Sequence, residues 1–419
     1  MKSIQWRLKS GSDRRFRSGH PWVYSNELME SPKGISPGAA VELRDASGKF
    51  LANGYGNASS LISFRALSRD EQIANPSSAD SIGAALMRAY EFRARLGLTK
   101  FSYRLCYGEG DFLPGLIVDH YRSGKHSIFV VQAHTAGADL MLPHLPAAFQ
   151  TIVGKSSKFS LIVKNNLGVR KLEGIAEEKP KVEISEPGLN YQSISIDVAS
   201  ALESSRSISF LVDLVEGQKT GFFLDQTANV ALAARTLTSL GKNKMRILDL
   251  CCYVGQWSAQ LSSVFKAHGA KVEVLAVDGS AKALEFAEQN ISRQGAEFKA
   301  LKGDVLKDLA VLEASSFDIV ISDPPALIQG RKEVPQGTHA YLQLNTQTMR
   351  LLSLGGGVVV SSCSALMEEE SFLATLSKAS TRNQRKVQWI SRGAQAPDHP
   401  MLSEFPEGRY LKCFVGVGS

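Results

Sequence analysis

Beyond about residue 205, short apolar runs suited to strands alternate with helix-length segments, and this alternation restricts the possible folds more than any other feature. Met245-Arg246-Ile247-Leu248-Asp249-Leu250 reads as a first strand, Lys271–Asp278 as a second and Glu297–Lys302 as a short third. Phe317–Ser322 follows as a fourth and Gly357–Ser362 as a fifth, with helical stretches such as Ala281–Arg293 between them. The expectation is a doubly wound, Rossmann-like α/β domain over residues 200–419.

The rest of the chain has a different texture. In residues 1–72, Val41–Asp45 and Phe50–Gly56 flank the turn Ala46-Ser47-Gly48-Lys49 and read as a hairpin, with Leu61–Leu67 as another strand. A small β-barrel-like module is expected there. Asn75–Asp80 reads as a linker, and a helix is expected over Ile82–Leu96. Strand-like runs at Gly115–Asp119, Ser127–Gln132 and Leu161–Lys164 make residues 76–195 an α+β section. The fold class is therefore multidomain α/β.

Composition decides less. Lys and Arg number 48 against 41 acids, a net charge of +7, which is compatible with a polyanionic partner without requiring one. No apolar run approaches the ~20 residues that span a bilayer, and no signal-peptide pattern is present. Cys106, Cys251, Cys252, Cys363 and Cys413 are odd in number and form no C-x-x-C pair. That disfavours a disulfide framework and a zinc site, so a cytoplasmic, metal-free protein is expected. A homodimer is left open.

Ligands of doubly wound sheets bind where the first strand turns into its helix. That turn, Asp249-Leu250-Cys251-Cys252-Tyr253-Val254-Gly255, has one glycine where a dinucleotide fingerprint has three. A ligand without phosphates fits better, and S-adenosylmethionine is such a ligand. Asp278 ends the second strand, where a carboxylate meets ribose hydroxyls, and Asp304 ends the third, where an acceptor meets an adenine amino group. Tyr253 and Gly255 lie in the turn itself. The competing expectation is that such acids cap the following helices.

The fourth strand runs into Ser322-Asp323-Pro324-Pro325, whose prolines hold an extended backbone and place the Asp323 carboxylate at a fixed point. The fifth runs into Ser361-Ser362-Cys363-Ser364, which puts Cys363 on the same rim. Carbon 5 of cytosine is a poor nucleophile, and addition of a thiolate to carbon 6 activates it. Cys363 is the candidate nucleophile, and Asp323 a carboxylate able to hold the base edge. Cys106 and Cys413 read as buried packing residues.

At these residues the sequence resembles the PUA-containing family of large-subunit ribosomal RNA cytosine-5 methyltransferases, the RlmI-like proteins. The resemblance runs over nearly the whole chain. It includes His20-Pro21-Trp22-Val23-Tyr24-Ser25, Glu109–Asp119, Val169–Gly174 and Glu216–Gln226. It continues through Asp323-Pro324-Pro325, Ser362-Cys363-Ser364, Asp398-His399-Pro400 and Phe405-Pro406-Glu407. Lys219–Gln226 is the most specific run. The resemblance implies a PUA RNA-binding domain, a central domain and a class I methyltransferase domain. It also implies that Lys219–Gln226, with Phe223, Asp225 and Gln226, helps close the cofactor pocket, and that Cys363 is the nucleophile. Ala326 departs from the lysine that many members carry after the two prolines.

The first 30 residues hold Lys2, Arg7, Lys9, Arg14, Arg15 and Arg17, interleaved with Trp6, Phe16, Trp22 and Tyr24. Cations for phosphates and aromatic faces for stacking make this an expected RNA surface, with Arg14, Arg15, Arg17, His20 and Trp22 as its candidates. The reading is an S-adenosylmethionine-dependent RNA cytosine-5 methyltransferase acting on large-subunit rRNA. The alternatives are a base amino-group methyltransferase and an RNA-binding assembly factor with a vestigial cofactor site.

Overall fold

The computed structural model describes residues 4–73 and 75–419, so Lys2 lies outside the described residues. The chain forms two compact units. The first runs to Ile196 and adds Asp213–Leu224 and Asp398–Gly408; the second comprises Asp197–Val212, Asp225–Pro397 and Arg409–Ser419.

The first unit contains two five-stranded sheets. In one, Ala39–Arg44 pairs antiparallel with Phe50–Gly56, forming the expected hairpin, and Ile62–Ser68 continues it. Two strands that carry little sequence signal complete this sheet: Ile4–Arg7, parallel to Ala39–Arg44, and Trp22–Tyr24, antiparallel to Ile62–Ser68. Trp6, Phe16, Val41, Leu43 and Phe64 fill its core. The second sheet runs in the order Lys181–Ile184, Phe159–Val163, His126–Ala133, Leu116–Ser123, Tyr103–Tyr107. The helix Ala79–Arg95 packs on it, with Ser78 Oγ accepting from the Ser81 N–H at its start.

Buried ion pairs tie this unit together. Arg65 donates to Glu173 at 2.7 Å, and Asn57 Nδ2 adds a 2.9 Å bond to the same carboxylate. Arg104 pairs with Asp119 at 2.8 Å. The backbone N–H of Arg104 donates to Asp398 at 2.7 Å, which anchors the late segment Asp398–Gly408 within the unit.

The second unit is built on a seven-stranded sheet. We label its strands β1 (Lys244–Leu250), β2 (Lys271–Asp278), β3 (Glu297–Lys302), β4 (Phe317–Ser322), β5 (Leu352–Ser362), β6 (Val387–Gly393) and β7 (Lys412–Gly418). Their spatial order is β3-β2-β1-β4-β5-β7-β6. The first five are parallel, and β7 returns antiparallel between β5 and β6. β2, β3 and β4 match the sequence reading, whereas β5 begins at Leu352, five residues early, and β6 and β7 were not anticipated.

Helices α1 (Thr227–Leu237), α2 (Gln256–Ala267) and α3 (Ala281–Ser292) form one layer, and α4 (Val334–Leu351) and α5 (Glu369–Arg382) form the other. Right-handed crossovers require this division, because the chain leaves β1 toward β2 and leaves β4 toward β5 in opposite directions along the sheet. Alternation along β1 follows the layers. Leu248 and Leu250 pack with Tyr341 and Phe372 of the α4–α5 side, while Asp249 points toward Ser258 of α2. The strand order reverses between β1 and β4, so the crevice outside their carboxyl ends is where a ligand belongs.

Candidate active site at the carboxyl ends of the strands

Asp249, the residue before the last of β1, is fully buried. Its Oδ2 accepts from the Ser258 hydroxyl at 2.7 Å and from the Ser258 N–H at 3.3 Å, while its enclosed Oδ1 has no hydrogen-bond partner among the described residues. Burial, and then the nearby carboxylates of Asp323 and Asp278, push this carboxyl up to about 7 against the Ser258 hydrogen bonds. Three carboxylates close enough to feel one another favour a positively charged ligand and repel phosphate.

The turn after β1 is tight. Cys251, Tyr253 and Gly255 adopt φ of 63°, 50° and 79°. A Cβ on Gly255 would lie 2.9 Å from the Ile291 side chain and 3.2 Å from the Ala287 Cα, so α3 can approach only a glycine here. The non-glycine left-handed residues store strain of ~1–3 kcal/mol each, which the surrounding fold holds in place.

The turn is locked to Asp278. Oδ2 of Asp278 accepts the Tyr253 N–H at 2.9 Å and Oδ1 accepts the Ser280 N–H at 2.8 Å. Each carboxylate oxygen retains a second acceptor direction. Asp304 is placed differently. It is largely exposed, accepts the Leu306 N–H at 2.9 Å and pairs with Lys307 at 3.0 Å; these bonds hold its carboxyl below the usual range. Its geometry is that of a turn cap.

Asp323 is oriented from two sides. Gln226 Nε2 donates to Oδ1 at 2.8 Å, and Trp257 Nε1 donates to Oδ2 at 2.9 Å. Gln226 is itself held by Asn229 Nδ2 at 2.7 Å. Asp225 accepts from the Tyr410 hydroxyl. Within the resemblance-derived run, Asp225 and Gln226 therefore belong to the second unit, while Phe223, with the Lys219 ammonium 4.7 Å from its ring, belongs to the first.

Cys363 follows β5, and its Sγ lies 3.7 Å from the Pro324 carbonyl oxygen, so the loops after β4 and β5 meet at the thiol. Ser362 Oγ donates to the Tyr341 hydroxyl at 3.0 Å, and Ser364 Oγ lies 2.9 Å from it and accepts the Ile328 N–H at 3.1 Å. One tyrosine of α4 thus pins both neighbours of Cys363. Burial raises the thiols of Cys106, Cys252 and Cys413, the last to about 12, as packing residues. Burial also raises Cys251, with Asp278 and Asp323 adding to it.

Trp257, Tyr341 and Lys412 escaped the sequence reading. Trp257 stands two residues after Gly255 at the start of α2. Lys412 heads the apolar strand Lys412-Cys413-Phe414-Val415 and faces Ser362 across the sheet. Recognising that terminal run as a strand would have placed it at the rim.

In the first unit most of the residues expected to contact RNA also make bonds within the fold. Arg15 donates to Glu27 at 2.9 Å and to the Trp22 carbonyl at 3.1 Å, and Arg17 pairs with Asp13 and Asp45. His20 is buried; desolvation, then Arg15, lower its affinity for a proton. Trp22 Nε1 donates to Glu109 at 2.8 Å, with its ring 4.7 Å from that of Phe405. Trp6 and Phe16 are core residues. Arg14 is exposed and, with Arg15, His20, Glu27 and Glu404, lines an open cavity of about 490 Å³.

Two family models match the chain: a PUA-like domain over residues 7–69 and a methyltransferase domain over residues 241–405. The ribosomal RNA large subunit methyltransferase I of Aeromonas hydrophila subsp. hydrophila is 31% identical over 417 residues, covering 97% of this chain and 98% of its own. That of Shewanella denitrificans is 31% identical over 428 residues, covering 99% of each. Among solved structures, a candidate SAM-dependent methyltransferase from Streptococcus mutans matches with a TM-score of 0.74 at 18% identity, covering 99% of this chain and 100% of that one. A structure of a candidate methyltransferase complexed with SAH matches with the same TM-score at 19% identity and the same coverage. At such identity the structural likeness shows the fold.

Proposed function

The chain belongs to the ribosomal RNA large subunit methyltransferase I family, and we propose that it methylates carbon 5 of a cytosine in large-subunit rRNA, using S-adenosylmethionine. The observation that carries this reading is Cys363, whose thiol meets the Pro324 carbonyl beside Asp323 at the ends of adjacent strands. The carboxylates of Asp249, Asp278 and Asp323 suit the methyl donor, whose sulfonium and ammonium outweigh its one carboxylate and which carries no phosphate. Asp278 accepts from the ribose hydroxyls. Asp249 Oδ1, buried without a partner, suits a cationic donor. Tyr253 and Gly255 shape the turn, and Asp225 and Gln226 line the approach.

In the reaction the Cys363 thiolate bonds to carbon 6 of cytosine, and the carbon 5–carbon 6 electron pair becomes the nucleophile at carbon 5. Carbon 5 takes the methyl group from the sulfonium, releasing S-adenosylhomocysteine. A base then removes the carbon 5 proton, the sulfur–carbon 6 bond breaks, and the thiolate is restored. Asp323, oriented by Gln226 and Trp257, accepts a hydrogen bond from the cytosine amino group and fixes the ring against the thiol. RNA is held by the PUA-like module, with Arg14 and Arg17 as exposed cations and Arg15, His20 and Trp22 shaping the surface around them. Nucleoside mass spectrometry of rRNA from cells with and without the gene tests the product. Loss of one 5-methylcytidine is expected; loss of an amino-methylated base instead would overturn the carbon 5 assignment.

A further inference from the structure

Lys412 is a buried lysine, 9% exposed, at the first position of β7. Its Nζ donates at 2.6 Å to the carbonyl oxygen of Ser364, the residue after Cys363. An ammonium held by a carbonyl in a dehydrated setting lacks a formal counter-charge, and such a group is costly unless an anion stands near. The charges around it are few. Glu369 of α5 attracts it, but Glu369 already pairs with Arg392 at 2.7 Å; Arg409 repels it. The group that most favours its charged form is Cys363. The Tyr341 hydroxyl, bonded to the serines that flank Cys363, is neutral and supplies no counter-charge. Ionised Cys363 would therefore supply the anion that this buried cation otherwise lacks.

We propose that Lys412 is a positioning residue whose ammonium, fixed on the Ser364 carbonyl, favours the thiolate form of Cys363, the thiol proton passing to solvent. This rests on the reading of Cys363 as the nucleophile. Burial lowers the lysine itself to about 8, so the ammonium is fully charged only below that pH. At higher pH the amine becomes neutral and its effect on the thiolate fades.

The test uses the full-length chain without RNA. The rate of Cys363 alkylation by iodoacetamide is followed against pH by peptide mass spectrometry, which separates Cys363 from Cys251. Wild type, Lys412→Arg and Lys412→Gln are compared. Glutamine keeps a donor for the Ser364 carbonyl but removes the charge; arginine keeps both. In K412Q the alkylation midpoint should rise by about one pH unit, and the rate at pH 7 should fall roughly tenfold. K412R should remain closer to wild type, and all three should bind S-adenosylmethionine alike. Superposable profiles for wild type and K412Q, or equal shifts in both variants, would overturn the proposal. Because the readout involves no methyl transfer, it is independent of whether Cys363 is the nucleophile: an active Cys363→Ala variant would refute that reading and leave the alkylation result standing.

Discussion

Asp323 and Arg15 are both charged residues expected at a functional surface, and both are held by side-chain bonds, but to different ends. Gln226, just before α1, and Trp257 of α2 orient the Asp323 carboxylate beside Cys363, where the strand order reverses between β1 and β4. Glu27, His20 and the Trp22 carbonyl close on Arg15 from its own module, and its charge is spent on local structure. A position defined by topology is surrounded by residues that aim it. A run defined by composition is largely engaged by the folding of its own segment, although Arg7, Lys9, Arg14 and Arg17 keep exposed side chains.

The largest effect should come from breaking the structural use of charge. Glu173→Ala leaves the buried Arg65 guanidinium and Asn57 without their carboxylate, at a cost of ~3–5 kcal/mol. Urea denaturation of the full chain should show that loss in the first unit; a midpoint near wild type would mean that the pair contributes little. Asp278→Ala probes the rim. Each hydrogen bond lost to its carboxylate is worth ~1.5–3 kcal/mol, so affinity for S-adenosylmethionine should fall by roughly one to two orders of magnitude. Unchanged affinity by calorimetry would remove Asp278 from the cofactor site.

A smaller effect separates the rim from the basic run through pH. The folded chain holds a proton on Asp249 up to about 7, against an unfolded value of 3.8. Stability from this group is full below the unfolded value and lost as pH rises through 7, so Asp249→Asn should flatten that slope in thermal melts. A cationic ligand against Oδ1 favours the carboxylate, so binding at pH 6 should release a proton. Calorimetry in buffers of different ionisation enthalpy measures this; no release would place the ligand's charge elsewhere. The smallest effect is Arg14→Ala, which should change stability by no more than ~0.5 kcal/mol. It should reduce the log–log salt slope of RNA binding by about 0.7. Wild-type affinity and slope would place the RNA surface away from this cation.

The places of Asp249, Asp278, Asp323 and Cys363 near the carboxyl ends of β1, β2, β4 and β5 were legible because apolar runs separated by helix-length segments mark the strands of a doubly wound sheet. Asp304 shows the limit of that logic. It stands just past the end of β3, which stops at Lys302; β3 is an edge strand, and there the partly exposed carboxylate caps a turn. Trp257, Tyr341 and Lys412 were illegible for another reason: each reaches the rim from a different element, so no local spacing marks it. Trp6 and Phe16 misled because an aromatic beside arginines looks the same in sequence whether it stacks on a base or fills a core.

The central claim is that Cys363 attacks carbon 6, and RNA carrying 5-fluorocytosine at the target tests it most directly. Fluorine cannot leave as the proton does, so methylation stalls with sulfur still bonded to the base. Wild type with S-adenosylmethionine should give an RNA–protein species that survives denaturing gels, and Cys363→Ala should give none while binding the methyl donor with wild-type affinity. A fully active Cys363→Ala enzyme, or a wild type that methylates normal RNA yet traps no adduct, would contradict the account.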